Sequence, residues 1–309
     1  MEMTSTKIAL CCVLILSGAT IRGCFCYKEE KNIKEKTQSI PWPLQIPPIN
    51  RDEASTQASE EQINHFSVHL WNKRLDGNNY YGLVATMDVY GFHLGHEEQS
   101  VVAIWIYSRG EDGKSPVTGF ALGWHIHPAL YKDTNTHFLT HWTGNGSPPD
   151  VCYNIRCPGY IRTSSSTTPG DVITPVSSIR DKKQYITIKA YKDKKSGDWQ
   201  VHYGFNSPAK LIGYFPKSLF SDMEKKQLII SFGGFTSHPH AQPSPPMGSG
   251  LFPGRNAASF KNLKFVDAEG STHDINKDLP FNVTSHSCYR LSTIVSGHFF
   301  YGGPGHCVV

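Results

Sequence analysis

Charge is scarce in this chain. Only 18% of its 309 residues are Asp, Glu, Lys or Arg, and no long tract rich in Ala, Glu, Lys, Leu and Arg occurs, which excludes a helical bundle or coiled coil. Lys and Arg outnumber Asp and Glu by only 30 to 26, too small and too dispersed an excess to point to a nucleic-acid partner. Beyond the N-terminus no apolar run approaches the length of a bilayer span. No internal repeat of fixed period is present.

Carboxylates are the most informative shortage. Of twelve Glu, only Glu97, Glu98, Glu111, Glu224 and Glu269 lie past residue 80, all in expected turns or in one short helix. General acid–base chemistry needs carboxyls held in a cleft with separated acidities, and none of these five forms such a pair. Asp88 falls inside a strand-like run and Asp171 follows Pro169-Gly170; each is single and reads as an outward face or a turn. A serine nucleophile is equally ill supplied: Met247-Gly-Ser-Gly250 lacks the Gly two places before the serine and follows a Pro-rich loop. His125 and His127, like His238 and His240, share the spacing that puts two side chains on one side of a strand, but no further ligand completes a metal site by spacing. Nothing calls for a metal or another cofactor.

What is abundant are turn formers and apolar residues. With 27 Gly, 20 Pro, 39% hydrophobic and 12% aromatic residues, the chain reads as one all-β domain with many turns. Lys7, the apolar run Ile8 to Leu16 and the small residues Ser17, Gly18 and Ala19 have the layout of a cleavable secretory signal, assigned to residues 1–23. The mature protein is then secreted, with no membrane span. Cys11 and Cys12 leave with the signal, and six cysteines remain: Cys24, Cys26, Cys152, Cys157, Cys288 and Cys307. Six permit fifteen pairings, and an oxidising compartment favours disulfides over zinc or catalytic thiols. Asn282-Val-Thr is a glycosylation sequon, and so is Asn145-Gly-Ser, weakened by the following Pro148.

Residues 24–77 read as a prosegment or linker. Between 27 and 60 there are 11 charged residues in 34, with prolines at 41, 43, 47 and 48, and a short helical turn is expected around Ser59 to Phe66. From Tyr80 onward β-rich runs recur between turn clusters: Tyr81 to Val89, Val101 to Tyr107, Gln184 to Tyr191, Trp199 to Phe205, Leu211 to Phe215, Leu228 to Phe232 and Phe260 to Val266. In Tyr185 to Tyr191, Ile186, Ile188 and Ala190 share one face, and Lys195-Ser-Gly-Asp198 turns the chain into Trp199. Only Ser218 to Lys226 looks helical. The expected architecture is an antiparallel β-sandwich of two large twisted sheets.

Gly123-Trp-His-Ile-His-Pro-Ala-Leu-Tyr131, His137-Phe-Leu-Thr-His-Trp-Thr143, Cys152-Tyr-Asn-Ile-Arg-Cys-Pro-Gly159, Leu211-Ile-Gly-Tyr-Phe-Pro216, Leu219-Phe220, Met247-Gly-Ser-Gly250 and Phe300-Tyr-Gly-Gly-Pro-Gly305 resemble, in order and spacing, successive blocks of the neprosin domain. The resemblance spans roughly residues 78–307. It implies a secreted plant protein with a two-sheet β-sandwich over 78–309, related to glutamic endopeptidases that cleave after proline and are made with an N-terminal activation peptide. It also implies disulfides Cys152 to Cys157 and Cys288 to Cys307.

Active members of that family resemble one another at two glutamates. One stands two residues before the Gly-Trp of the first block and the other directly after a Gly-Gly in a later strand. Here those positions hold Ala121 and Phe235, and no Asp or Glu lies between Gly113 and Lys132 or between Lys225 and Val266, so a shift of alignment restores neither. The family's Gln after Gly-Trp is His125, and His127 precedes Pro128. The expectation is a catalytically inactive relative that binds a proline-rich peptide, a wall component or an extracellular protein, with Trp124, His125 and His127 as candidate contacts. The competing expectation is a peptidase whose apparatus has moved to His125 or His127 with another carboxylate.

Overall fold

A computed structural model describes residues 62–72, 79–109, 118–144, 151–224 and 227–307. The expected signal segment, Cys24, Cys26 and Asn145 lie outside the described residues.

Two antiparallel sheets make the domain. The first has seven strands in the spatial order β15 (Phe281–Val283), β1 (Gln62–Asn72), β11 (Gln227–Pro239), β3 (Gln99–Arg109), β4 (Thr118–Ile126), β5 (His137–Thr143) and β6 (Val151–Tyr153). The second runs β12 (Met247–Gly248), β17 (Phe299–Gly303), β13 (Ala258–Asp267), β2 (Tyr80–Asp88), β8 (Tyr185–Lys192), β9 (Trp199–Phe205), β10 (Lys210–Phe215) and β7 (Ile161–Arg162). On this sheet β14 (Thr272–Asp274) flanks β13 and β16 (Arg290–Leu291) flanks β17. The all-β sandwich expected from the sequence is the fold observed.

One apolar core joins the facing surfaces. Phe120, Leu122, Trp124 and Ile126 of β4 meet Ile186, Ile188, Ala190 and Val201 there, all with no exposure. Aromatic contacts thicken it: Phe120 lies 5.1 Å from Phe215 and Phe260 lies 5.0 Å from Phe299, ring centre to ring centre. Each such ring withdrawn from water contributes about 1.5–3 kcal/mol. The alternation read in β8 is borne out residue by residue, and the β8–β9 turn is closed by backbone bonds from Asp193 N to Asp198 O and from Gly197 N to Asp193 O, each 2.8 Å.

Three local readings need correction. The segment Gln62–Asn72, read as linker with a helical turn to Phe66, is strand β1, paired with β11 along its whole length. Its period of two is real but disguised, since polar His65, Ser67 and His69 share the inward face with Trp71. Ser218 to Lys226, read as helix, is a 3-10 segment over Lys217–Glu224 broken at Phe220 (φ −128°). Asp88, read as an outward or turn residue, is buried at the end of β2, where its Oδ2 accepts from Lys183 Nζ at 2.9 Å, Ser259 N at 3.0 Å and Ser259 Oγ at 2.8 Å. A carboxylate at the sheet margin is tolerated because one cation and two donors replace its water.

Among the described residues two disulfides form, Cys152–Cys157 and Cys288–Cys307, with Cα atoms 5.9 Å and 6.0 Å apart. Asn282 lies half-exposed on edge strand β15.

Candidate functional site

Strand alternation sends every second residue of the first sheet away from the core. On this outer face the register builds three rows across the strands. The first is Phe66, Phe235, Val101, His125 and His137; the third is Leu70, Ser231, Trp105, Ala121, His141 and Tyr153. Between them run Val68, Gly233, Ala103, Gly123 and Leu139. Gly233, Ala103 and Gly123 at the centre of this row are small and the flanking rows are bulkier, which makes a low strip or trough across the strands whose residues are themselves buried. A Cβ on Gly123 would stand 1.9 Å from Val102 O, and one on Gly233 (φ +152°) would stand 2.2 Å from Ser67 O, so neighbouring backbones close over both positions.

Ala121 and Phe235 both face this trough, on opposite margins. They are two strands and four residues apart, about 10 Å across and about 13 Å along the sheet. Ala121 is 1% exposed and Phe235 is not exposed at all; the Phe235 ring packs 5.1 Å from that of Phe66. Beside Ala121 in register, the buried indole Nε1–H of Trp105 has no acceptor among the described residues. A buried donor without a partner costs about 1–3 kcal/mol.

At one end of the trough lies a knot of histidines and tyrosines. His125 Nε2 and the Tyr131 hydroxyl are 2.7 Å apart. Burial first, then the neighbouring His127 and other cationic groups, hold the His125 pKa well below its ordinary value, so the ring is neutral and shares one proton-bearing contact with the Tyr131 hydroxyl. Tyr131 in turn accepts from Asn154 Nδ2 at 2.6 Å, and Asn154 is oriented because its Oδ1 accepts from Thr140 N at 3.0 Å. His137 stacks on Tyr131 at 3.6 Å, with its two nitrogens 2.7 Å from Gly170 O and 3.0 Å from Asp133 Oδ1.

His127 starts the single-turn helix α1 (Pro128–Tyr131), accepting from Leu130 N at Nδ1, 3.2 Å away. Burial depresses this ring to about 3. Neutral, and with its lone pair committed at Nδ1, it carries its proton on Nε2, which is buried and has no acceptor. The Tyr153 hydroxyl is buried without a partner as well, and its ring lies 6.0 Å from His127 and 4.7 Å from His141.

Of the residues singled out in the sequence, the structure therefore brings His125 and His127 together, with ring centres 6.0 Å apart. It places Trp124 elsewhere: its indole is in the core, donating to Asp88 O at 2.9 Å. Trp105, His137 and Asn154 carry no role in the sequence reading because strand pairing alone makes them neighbours, and Tyr131, close in sequence, is brought onto His125 by the α1 turn. His238 pairs with His65 across β1 and β11, Nε2 to Nε2 at 3.1 Å, and His240 is exposed. Among the described residues no group of three or more His, Cys, Asp or Glu is arranged to hold a metal ion.

These features define a two-sheet antiparallel sandwich with a cross-strand trough on one outer face. The Neprosin family model matches residues 96–304, and the chain belongs to the Neprosin family. Among solved structures, the beta-porphyranase BpGH16B from the human gut bacterium Bacteroides plebeius shares 11% identity over 52% of this chain and 54% of that chain, with a TM-score of 0.25. The chain thus spans about half the length of that protein, a likeness too slight to bear on fold or activity.

Proposed function

We propose that this chain is a secreted, catalytically inactive relative of glutamic prolyl endopeptidases that acts by binding an extracellular peptide or protein. The observation that carries the reading is the occupation of the two family glutamate positions by Ala121 and Phe235, which share one face but bring no acid or base to it. Amide hydrolysis needs a group to activate water and a group to protonate the leaving amine; methyl and phenyl do neither. The unpartnered Trp105 indole fits the loss, since a glutamate at 121 would stand beside it as an acceptor.

The histidines do not make good the deficit. Asp133, the carboxylate at this end of the trough, is engaged by His137, whereas His125 is committed to Tyr131 and His127 to the α1 cap. No described Ser or Cys is bonded to either ring. Disulfides fit an extracellular setting, and among the described residues no helix is long and apolar enough to cross a membrane.

Digestion of a proline-rich peptide library between acid and neutral pH tests the reading. The natural protein is expected to leave every peptide intact. An Ala121→Glu, Phe235→Glu double variant, checked for folding by thermal melting, is expected to regain cleavage. Cleavage by the purified natural protein, lost on replacing His125 or His127, overturns the proposal in favour of a relocated apparatus.

A further inference from the structure

The second sheet has an outer face of different character. Along β8 the outward residues Tyr185, Thr187, Lys189 and Tyr191 alternate with buried ones and remain partly exposed, as do Gln200, His202 and Tyr214 on β9 and β10. These three strands contain Lys189, Lys192, Lys210 and His202, and no Asp or Glu. Gln200 stands in register with Tyr191 on one side and Tyr214 on the other, so two tyrosines flank an amide, separated by two strand spacings or about 10 Å. In the adjacent row Lys189 is in register with His202. The Lys189 ammonium lies 4.6 Å from the centre of the Tyr191 ring, and the Tyr191 and His202 rings lie 5.9 Å apart within 29° of parallel.

Beyond the end of this face, the β8–β9 turn borders a separate depression of about 310 Å³ lined by Lys192, Asp193, Lys194, Lys195, Ser196 and Lys217 among others. The acids near it keep their charge, and each already accepts a hydrogen bond. Asp193 accepts from the backbone of Lys195 and Ser196, Asp198 accepts from Lys217 N, and Glu269 pairs with Lys194 at 2.7 Å. Among the described residues no carboxylate pairs with the ammonium groups of Lys189, Lys195 or Lys217.

We propose that the outer face of the second sheet binds an acidic polysaccharide, a chain of linked uronic acids, laid across the strands from Tyr214 over Gln200 to Tyr191 and on toward the lysines of the turn. Sugar rings present C–H faces that lie on tyrosine rings, and the span between the two tyrosines has the length scale of a disaccharide. Gln200 offers bonds to hydroxyls. A carboxylate recurring along the glycan matches Lys189, Lys195 and Lys217 as charge-assisted partners. The proposal goes beyond the function proposed above and does not rest on it, because the sheet and the face are different.

Binding of the full secreted protein to immobilised polygalacturonate, to its methyl-esterified form and to single-stranded DNA tests it. Retention on polygalacturonate is expected, weaker on the ester and reduced by salt. Tyr191→Ala and Tyr214→Ala should each weaken it roughly tenfold, while Tyr191→Phe and Tyr214→Phe keep it and melting temperatures stay level. Lys189→Gln should flatten the salt dependence. No retention, tyrosine variants that bind like the natural protein, or equal retention on DNA overturns the proposal, the last two as plain ion exchange.

Discussion

At the scale of single residues, the buried histidines dominate. Burial, reinforced by His238, holds the His65 ring at about 4, and burial alone brings His141 to about 4. His69 and His127 are lowered by burial too. Each of these rings binds a proton less tightly folded than unfolded. Their contribution is therefore complete above the unfolded value of 6.5 and is lost as pH falls through the interval down to about 4. The melting temperature is expected to fall progressively across that window, before most carboxylates titrate. His65→Gln should remove part of the slope, because a neutral amide replaces the ring that must stay uncharged. A melting temperature flat between pH about 6.5 and about 4 would contradict this account.

Among elements, β4 shows how tightly the strands are seated. All nine residues are buried, so both faces are covered and the strand carries no alternation of apolar and polar residues. Gly123 lies where the Val102 carbonyl leaves no room for a methyl group. Gly123→Ala is expected to cost about 2 kcal/mol or more, since backbone and not a flexible side chain must move; chemical denaturation measures it, and a loss under about 0.5 kcal/mol would mean the strands separate easily. The same local chemistry decides what was legible in the sequence. The β8–β9 hairpin was, because Ile186, Ile188 and Ala190 alternate cleanly and a turn follows. Strand β1 was not, because histidines and a serine occupy inward positions that the pattern reserves for apolar side chains. Half of the histidine site was visible as His125 and His127, two apart in one block. Tyr131, six residues on, is brought back by the α1 turn, whereas His137 and Asn154 join only through the pairing of β4 with β5 and of β5 with β6, and pairing partners leave no mark on either strand alone.

The whole molecule is tied at its margin by Cys288–Cys307, which closes a loop across a sequence separation of 19. Replacing both cysteines by serine is expected to cost about 3 kcal/mol in the chain-entropy picture, read as a lower denaturation midpoint, and peptide mapping without reduction should recover the two halves joined. A midpoint that does not move would place the C-terminal segment's order in its packing alone. The register of β1 bears on how such a molecule is made. Gln62 pairs with Pro239 and Asn72 with Ile229, so the first described strand finds this neighbour only after more than 150 further residues have been synthesised, on the order of ten seconds later. During that interval the β3–β4–β5 and β8–β9–β10 meanders can form from near neighbours, while β1 waits with an unsatisfied edge. Completing the first sheet thus requires the return of its earliest described strand, with β15 still to follow.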